Sequence, residues 1–246
     1  MNCKAWKLAL ALFPAAGICA DFGLPWGAEY VFAAPGFHTA TVLCDGSQRV
    51  SALGSISGAT KTAAGLSFTA AGNAFPSNTF VITNEFTIGM WVNTAVNSNF
   101  SLFGATMGAS QSYLELGLGD TSAGGGTNAY FTCRDTNGPS TDYVRITSPN
   151  PRDGKDHLLV ATMDASRLRI YLDGVQHETS NRSVNTLGLI RITNQPAWGA
   201  VHVSASGTFI RRYSGELGVG GYWFRALASN EIQRWWADGI GLEASR

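Results

Sequence analysis

The stretch HLLVATMDASRLRIYLDGVQHETS, residues 157–180, decides the fold. Within Arg167–Leu172, the side chains of Leu168, Ile170 and Leu172 fall on one face of an extended chain. Arg167, Arg169 and Tyr171 fall on the other, which is the two-residue period of a β-strand. Asp173-Gly174 follows at once. A two-residue hairpin loop requires positive φ at both central positions, which Asp and Gly accept most readily, so Val175–Thr179 is expected to return as the antiparallel partner. Upstream, His157–Met163 reads as another strand, turned into the next by Asp164-Ala165-Ser166. His157 is assigned to a strand start and Asp173 to its turn, both in structural roles.

The same pattern extends outward. In Phe86–Val92, Phe86, Ile88, Met90 and Val92 share one face. Further strands are expected at Tyr30–Ala33, Thr41–Cys44, Leu66–Thr69, Ser101–Ala105, Tyr113–Leu118, Tyr143–Thr147, Leu189–Thr193 and Ala200–Ser204. The loops TSAGGGTN (121–128) and TNGPST (136–141) separate some of them. Many short strands punctuated by Gly, Asn and Asp define a sandwich or barrel. One helix is expected near the C-terminus. Ser229 or a neighbour caps it, Glu231 lies in its first turn and Gly239 ends it. Ile232, Trp235 and Trp236 fall on one side, which suits a lid packed on the sandwich.

Composition agrees. Only 14% of the 246 residues are charged, 29 are Gly, and the 17 basic residues balance the 17 acidic ones. A phosphate-binding surface needs a basic excess on at least one face, so the balance argues against nucleic acid and none is expected as a partner. The one close basic pair, Arg211-Arg212, reads as a solvated strand end. The neutral balance points mildly to a chain that lives in an assembly. Cys3, Cys19, Cys44 and Cys133 match no zinc spacing, and Cys133 reads as a buried strand residue.

Residues 1–26 form a segment distinct from the body at 27–246. Lys4 and Lys7 precede an apolar run that is too short to span a bilayer and is broken by Pro14. This is the outline of a secretory signal peptide. The other reading is a retained apolar arm, in which Trp6, Leu10 and Phe13 dock on the body or on a partner subunit.

Four blocks carry a family resemblance. AGLSFTAAGNAF (64–75), FTIGMWVNT (86–94), the hairpin region 157–180 and GELGVGGYWFRALASNEIQRWW (215–236) resemble, in that order, segments of the laminin-G-like, concanavalin A-like (pentraxin-type) jelly rolls. The resemblance implies an all-β, two-sheet antiparallel jelly-roll sandwich with one short C-terminal helix. It also implies a calcium site in many relatives. Here Asn73-Ala74 follows the Gly of the GNAF turn, and Gly218-Val219 stands where relatives carry acids, so the hard oxygen ligands calcium wants are missing. No cofactor is expected, and these departures put in doubt the calcium that the resemblance implies.

Catalytic signals are absent. Glycoside hydrolysis usually takes two carboxylates flanking the bond, yet Glu115 stands alone in its strand and Glu85 sits at a strand start. Both are assigned edge or solvent contacts. His38, His157, His177 and His202 are scattered, and no nucleophile elbow, HExxH or phosphate loop occurs. For glycan binding, sugar faces stack on aromatic rings oriented by amides. Trp198 beside Asn194 and Gln195 has that composition, and Tyr143 is a second candidate; the competing reading makes Trp198 a loop anchor tucked into the core. Free-standing domains of this kind look like those of phage particles. The primary expectation is therefore a non-catalytic bacteriophage virion structural or decoration protein at the particle surface, contacting other virion subunits or itself and able to bind glycans. The alternative is a secreted or cell-surface lectin-like adhesion module. A polysaccharide-degrading enzyme ranks third.

Overall fold

Alternating apolar residues become two facing sheets in the computed structural model. It describes residues 30–32, 43–44, 50–51, 53–62, 65–76, 80–82, 85–106, 112–120, 127–134, 142–182, 190–192, 196–203 and 206–243. Trp6, Leu10 and Phe13, the amides Asn194 and Gln195, His38, and the loop stretches 121–126 and 136–141 lie outside the described residues.

The strands are β1 (Tyr30–Phe32), β2 (Leu43–Cys44), β3 (Val50–Ser51), β4 (Leu53–Lys61), β5 (Leu66–Pro76), β6 (Phe80–Ile82), β7 (Phe86–Asn93), β8 (Phe100–Thr106), β9 (Tyr113–Asp120) and β10 (Thr127–Arg134). They continue with β11 (Asp142–Ile146), β12 (His157–Met163), β13 (Arg167–Leu172), β14 (Val175–Asn181), β15 (Ile190–Ile192), β16 (Ala197–Trp198), β17 (Val201–Val203), β18 (Thr208–Ile210) and β19 (Gly215–Trp223). A helix, α1 (Ser229–Glu243), follows β19. The hydrogen-bonded path runs β11-β10-β9-β8-β16-β5-β19-β7-β12-β13-β14. Strand β5 joins the two layers. Its start pairs with β19 and Ala74 pairs with Trp198 of β16. The GNAF segment, expected as a turn, therefore lies inside this long strand. Among the described residues, pairing is antiparallel except where β17 runs parallel to β8.

The core lies between the layers. One sheet contributes Phe86, Ile88, Met90, Val92, Leu159, Ala161, Leu168, Ile170 and Leu172; the other contributes Leu102, Phe103, Leu114, Leu116, Phe131, Cys133 and Val144. Each large aliphatic or aromatic side chain so buried contributes on the order of 1.5–3 kcal/mol. Cys133 is fully buried, as expected, and burial pushes its thiol well above the ordinary range, so it is an inert packing residue.

The hairpin behaves as its residues dictate. Asp173 and Gly174 have φ of 54° and 77°, and Leu172 faces Val175 across the turn. Tyr171 departs from expectation. It points away from the core, as its parity requires, yet it is buried, because α1 covers that face. Trp91, Leu158, Val160, Tyr171, Val219 and Trp223 form a second apolar layer beneath Ile232 and Trp235. Gly89 permits this contact: a Cβ there would lie 2.7 Å from Trp235 Cζ3 and 2.8 Å from Val160 Cγ2.

The helix also corrects one boundary. Gly239 does not end it, since α1 runs on to Glu243. Gly239 instead lets the helix approach Trp91, whose Cζ2 would be 2.3 Å from a Cβ at that position. The N-terminal cap is the neighbour of Ser229. The Ala228 carbonyl accepts from Glu231 N at 3.0 Å and Ile232 N at 3.2 Å, and the Ala228 amide donates to Glu231 Oε2 at 2.9 Å. This is the carboxylate half of a capping box. Arg225 then grips both Glu231 oxygens at 2.7 and 2.8 Å.

Candidate ligand-binding face

One sheet is sealed outside by α1, so the outer face of the other, built from β8 to β11, is the place to look for chemistry. Its parity follows from the core. Because Leu114, Leu116 and Leu118 point in, Tyr113, Glu115 and Gly117 point out. On β10, Tyr130 and Thr132 point out, and on β11, Tyr143 and Arg145 do. Register sets Glu115 beside Thr132 and Thr132 beside Tyr143. The next row holds Gly117, Tyr130 and Arg145.

Glu115 is the centre of this face. Assigned to edge or solvent contacts by its sequence, it is instead completely buried. Its carboxylate accepts from the Tyr130 hydroxyl at 2.5 Å, from the Tyr113 hydroxyl, and from Arg211 Nη1 at 2.7 Å. The same Arg211 nitrogen donates to the Tyr130 oxygen at 3.0 Å and to the Tyr113 oxygen at 3.4 Å. Gly117 makes room: a Cβ there would sit 2.5 Å from the Tyr130 ring and hydroxyl. Arg211, read as part of a solvated strand end, is thus an ion-pair partner reaching over from the segment between β18 and β19. Its backbone adopts a left-handed φ of 54°, and its carbonyl accepts from Ser101 N at 2.8 Å, where β8 shifts register.

The electrostatics keep Arg211 charged and Tyr130 neutral. Burial alone works to lower the Arg211 guanidinium, but the charge of Glu115 outweighs it and holds the group above its ordinary value. Burial, reinforced by Glu115, raises the Tyr130 phenol well above its usual range. Tyr130 is therefore a donor and never a base near neutral pH. The Glu115 carboxylate accepts from two phenols and a guanidinium, contacts that hold the three side chains in fixed orientation.

Aromatic and cationic groups border the cluster. Tyr143 is 45% exposed, and the Arg145 guanidinium lies 6.0 Å from its ring centre. On the β17–β18 hairpin, the His202 ring stacks on Phe209 at 4.9 Å and the Arg212 guanidinium lies 5.6 Å from the Phe209 ring centre. A cleft of about 270 Å³ between β11 and β14 is lined by Arg145, Thr147, Ser148, His177 and Glu178.

The other sequence candidates fall elsewhere. Trp198 is a core residue: fully buried in β16, it meets Phe103 edge to face at 4.8 Å, so its ring has no surface to offer a sugar. The anchor reading is the one its burial matches. His157 bridges Asp173 at 2.8 Å and Asp153 at 3.1 Å, while Asp173 also accepts from Leu158 N at 3.0 Å. The trio ties a strand start to a turn. Among the described residues, no group of three or more His, Cys, Asp or Glu could hold a metal ion.

The two facing sheets form a concanavalin A-like sandwich. A family model, the concanavalin A-like lectin/glucanases superfamily, matches residues 68–233, and the chain belongs to that family. A search by sequence finds no match among curated proteins. Solved structures share the architecture at low identity. The binding domain of botulinum neurotoxin serotype D in complex with N-acetylneuraminic acid superposes with TM-score 0.61 and 9% identity over 91% of this chain and 53% of that one. The chain thus spans about half the length of the neurotoxin domains it matches. Domain 4 of an extracellular arabinanase from Geobacillus stearothermophilus, in complex with arabinotriose, gives 0.51 and 12% over 83% and 86%. The sialidase carbohydrate-binding module from Ruminococcus gnavus bound to α2,6 sialyllactose gives 0.51 and 13% over 63% and 84%.

Proposed function

We propose that the chain is a non-catalytic binding module that takes a glycan on the outer face of the β8–β11 sheet. The observation that carries this reading is Tyr143. It is exposed, flanked by Arg145 and two strands from the oriented Tyr113–Glu115–Tyr130–Arg211 cluster. A sugar ring can lie on such an aromatic face while the partly exposed Arg211, held by the buried Glu115 and Tyr130, reaches its substituents. Membership of a lectin/glucanase family and the glycan complexes of structural neighbours support the ligand class. Glu115 argues for binding over hydrolysis, because its carboxylate is already committed to three donors.

The setting proposed from the sequence is a bacteriophage particle, where a decoration subunit would display this face and the arm at Trp6, Leu10 and Phe13 would dock it. Secretion as an adhesion module is the alternative, and mass spectrometry of the native N-terminus separates the two: loss of residues 1–20 favours secretion. A glycan array probed with the full chain and with Tyr143→Ala tests the binding itself. Binding by the parent and its loss in the variant are expected. Retention of full binding by Tyr143→Ala, or depolymerisation of any polysaccharide on the array, overturns the reading.

A further inference from the structure

Arg211 combines two features that serve stability poorly. Its φ of 54° is a region in which a non-glycine residue is strained. Its partner is a fully buried carboxylate, and a buried ion pair is seldom more stable than an apolar replacement. A glycine in the turn and a leucine on the strand would relieve both. Strain and a buried pair retained at one residue point to a functional orientation.

The geometry shows what is oriented. Among the described residues, every hydrogen bond of the Arg211 guanidinium runs through Nη1, to Glu115 Oε2, the Tyr130 hydroxyl and the Tyr113 hydroxyl. The side chain is 35% exposed. The planar group is thus clamped along one corner, with the Nε and Nη2 donors forming its other edge. Two parallel N–H groups on a fixed plane match the two oxygens of a carboxylate, a fit that a sugar hydroxyl cannot reproduce. Arg212 follows directly in sequence and Arg145 lies in the adjoining row, but Glu178 accepts from Arg145 N and Asp142 precedes Tyr143, so selection for a negative ligand rests on the Arg211 edge itself.

We infer that the glycan is acidic and that Arg211 is its carboxylate anchor, with Tyr143 as the stacking platform for a neighbouring ring. Glu115, Tyr113 and Tyr130 are positioning residues that act through Arg211. Tyr143 lies two strands from Glu115, about 10 Å at the usual interstrand spacing, a span that a disaccharide bridges. The inference rests on the glycan-binding reading and adds the charge of the ligand to it.

Calorimetric titration of the full chain with matched pairs tests it: oligogalacturonate against its methyl ester, and sialyllactose against lactose. At least one acid is expected to bind about tenfold or more tightly than its neutral twin, the worth of a charge-assisted bidentate contact. Arg211→Lys, with an unchanged circular dichroism spectrum, is expected to erase most of that preference, whereas Tyr143→Ala weakens both members of a pair alike. Equal binding of acid and ester, or an Arg211→Lys protein that keeps its preference, overturns the inference and leaves glycan binding standing. Failure of every acidic and neutral glycan on the array overturns both. The parental acid-to-ester ratio needs no variant, so the test survives an Arg211 substitution that impairs folding.

Discussion

Replacing Arg211 with Met isolates the energetics of the buried carboxylate. Glu115 is wholly enclosed, whereas about a third of the Arg211 side chain, 35%, reaches solvent. Met keeps much of the apolar stem and the strained backbone, so the main loss is the countercharge. Removing one partner of a buried pair costs about 3–5 kcal/mol. Here the Tyr113 and Tyr130 hydroxyls remain as donors, which places the expected loss near the low end, about 3 kcal/mol. Glu115→Gln removes the buried charge and leaves a guanidinium that water can reach, so it costs less, about 1–2 kcal/mol. Urea unfolding followed by tryptophan fluorescence measures both losses. A Glu115→Gln protein less stable than Arg211→Met, or an Arg211→Met protein as stable as the parent, refutes this reasoning.

Ile170→Asp places an unpaired charge between the sheets, where Ile170 is fully buried, and is expected to unfold the domain at 25 °C; an unchanged melting temperature contradicts the facing assigned to β13. The hydrogen bond to Asp173 raises the His157 imidazole above its ordinary value against the opposing pull of burial. Its stabilisation is therefore complete below about pH 6.5 and disappears as pH rises through the raised value. An imidazole titration by NMR with a midpoint above 6.5, and a shallower alkaline stability slope in His157→Gln, are expected; a midpoint at or below the free value contradicts this. Gly89→Val pushes a side chain into Trp235 and Val160 and is expected to cost on the order of 1–3 kcal/mol. A neutral effect in thermal melts shows that α1 does not seat as described.

The architecture was legible wherever one face met the core and period two showed plainly. Phe86–Val92, Leu168–Ile170–Leu172 and the Asp173-Gly174 turn all read directly. Legibility failed where a sheet is covered on both sides. Tyr171 has outward parity, and nothing local says that a helix more than fifty residues later will bury it and set its hydroxyl 3.2 Å from Ser229 Oγ. Gly239 misled for a related reason, since glycine serves both as a helix terminator and as a close-approach residue, and only the tertiary contact with Trp91 tells which.

The candidate face was the least legible part. Trp198 has the composition of a sugar platform but pairs with Phe103 and Ala74 as a buried strand. Tyr143 was visible as an aromatic beside an acid, and it is exposed. Glu115 and Arg211 are far apart in the chain and meet only through the route taken by β17 and β18. One signal did exist: a lone acid at an outward position of an otherwise apolar strand, two residues from a tyrosine, needs a partner if that face is covered.

The most direct test is hydrogen–deuterium exchange on the full chain, with and without a glycan selected from the array. Added protection confined to residues 113–118, 128–134, 142–146 and 208–212 is the predicted result. Protection confined to α1, or to the His157–Asp173 edge, with no change across β9 to β11, contradicts a ligand on the outer face of this sheet.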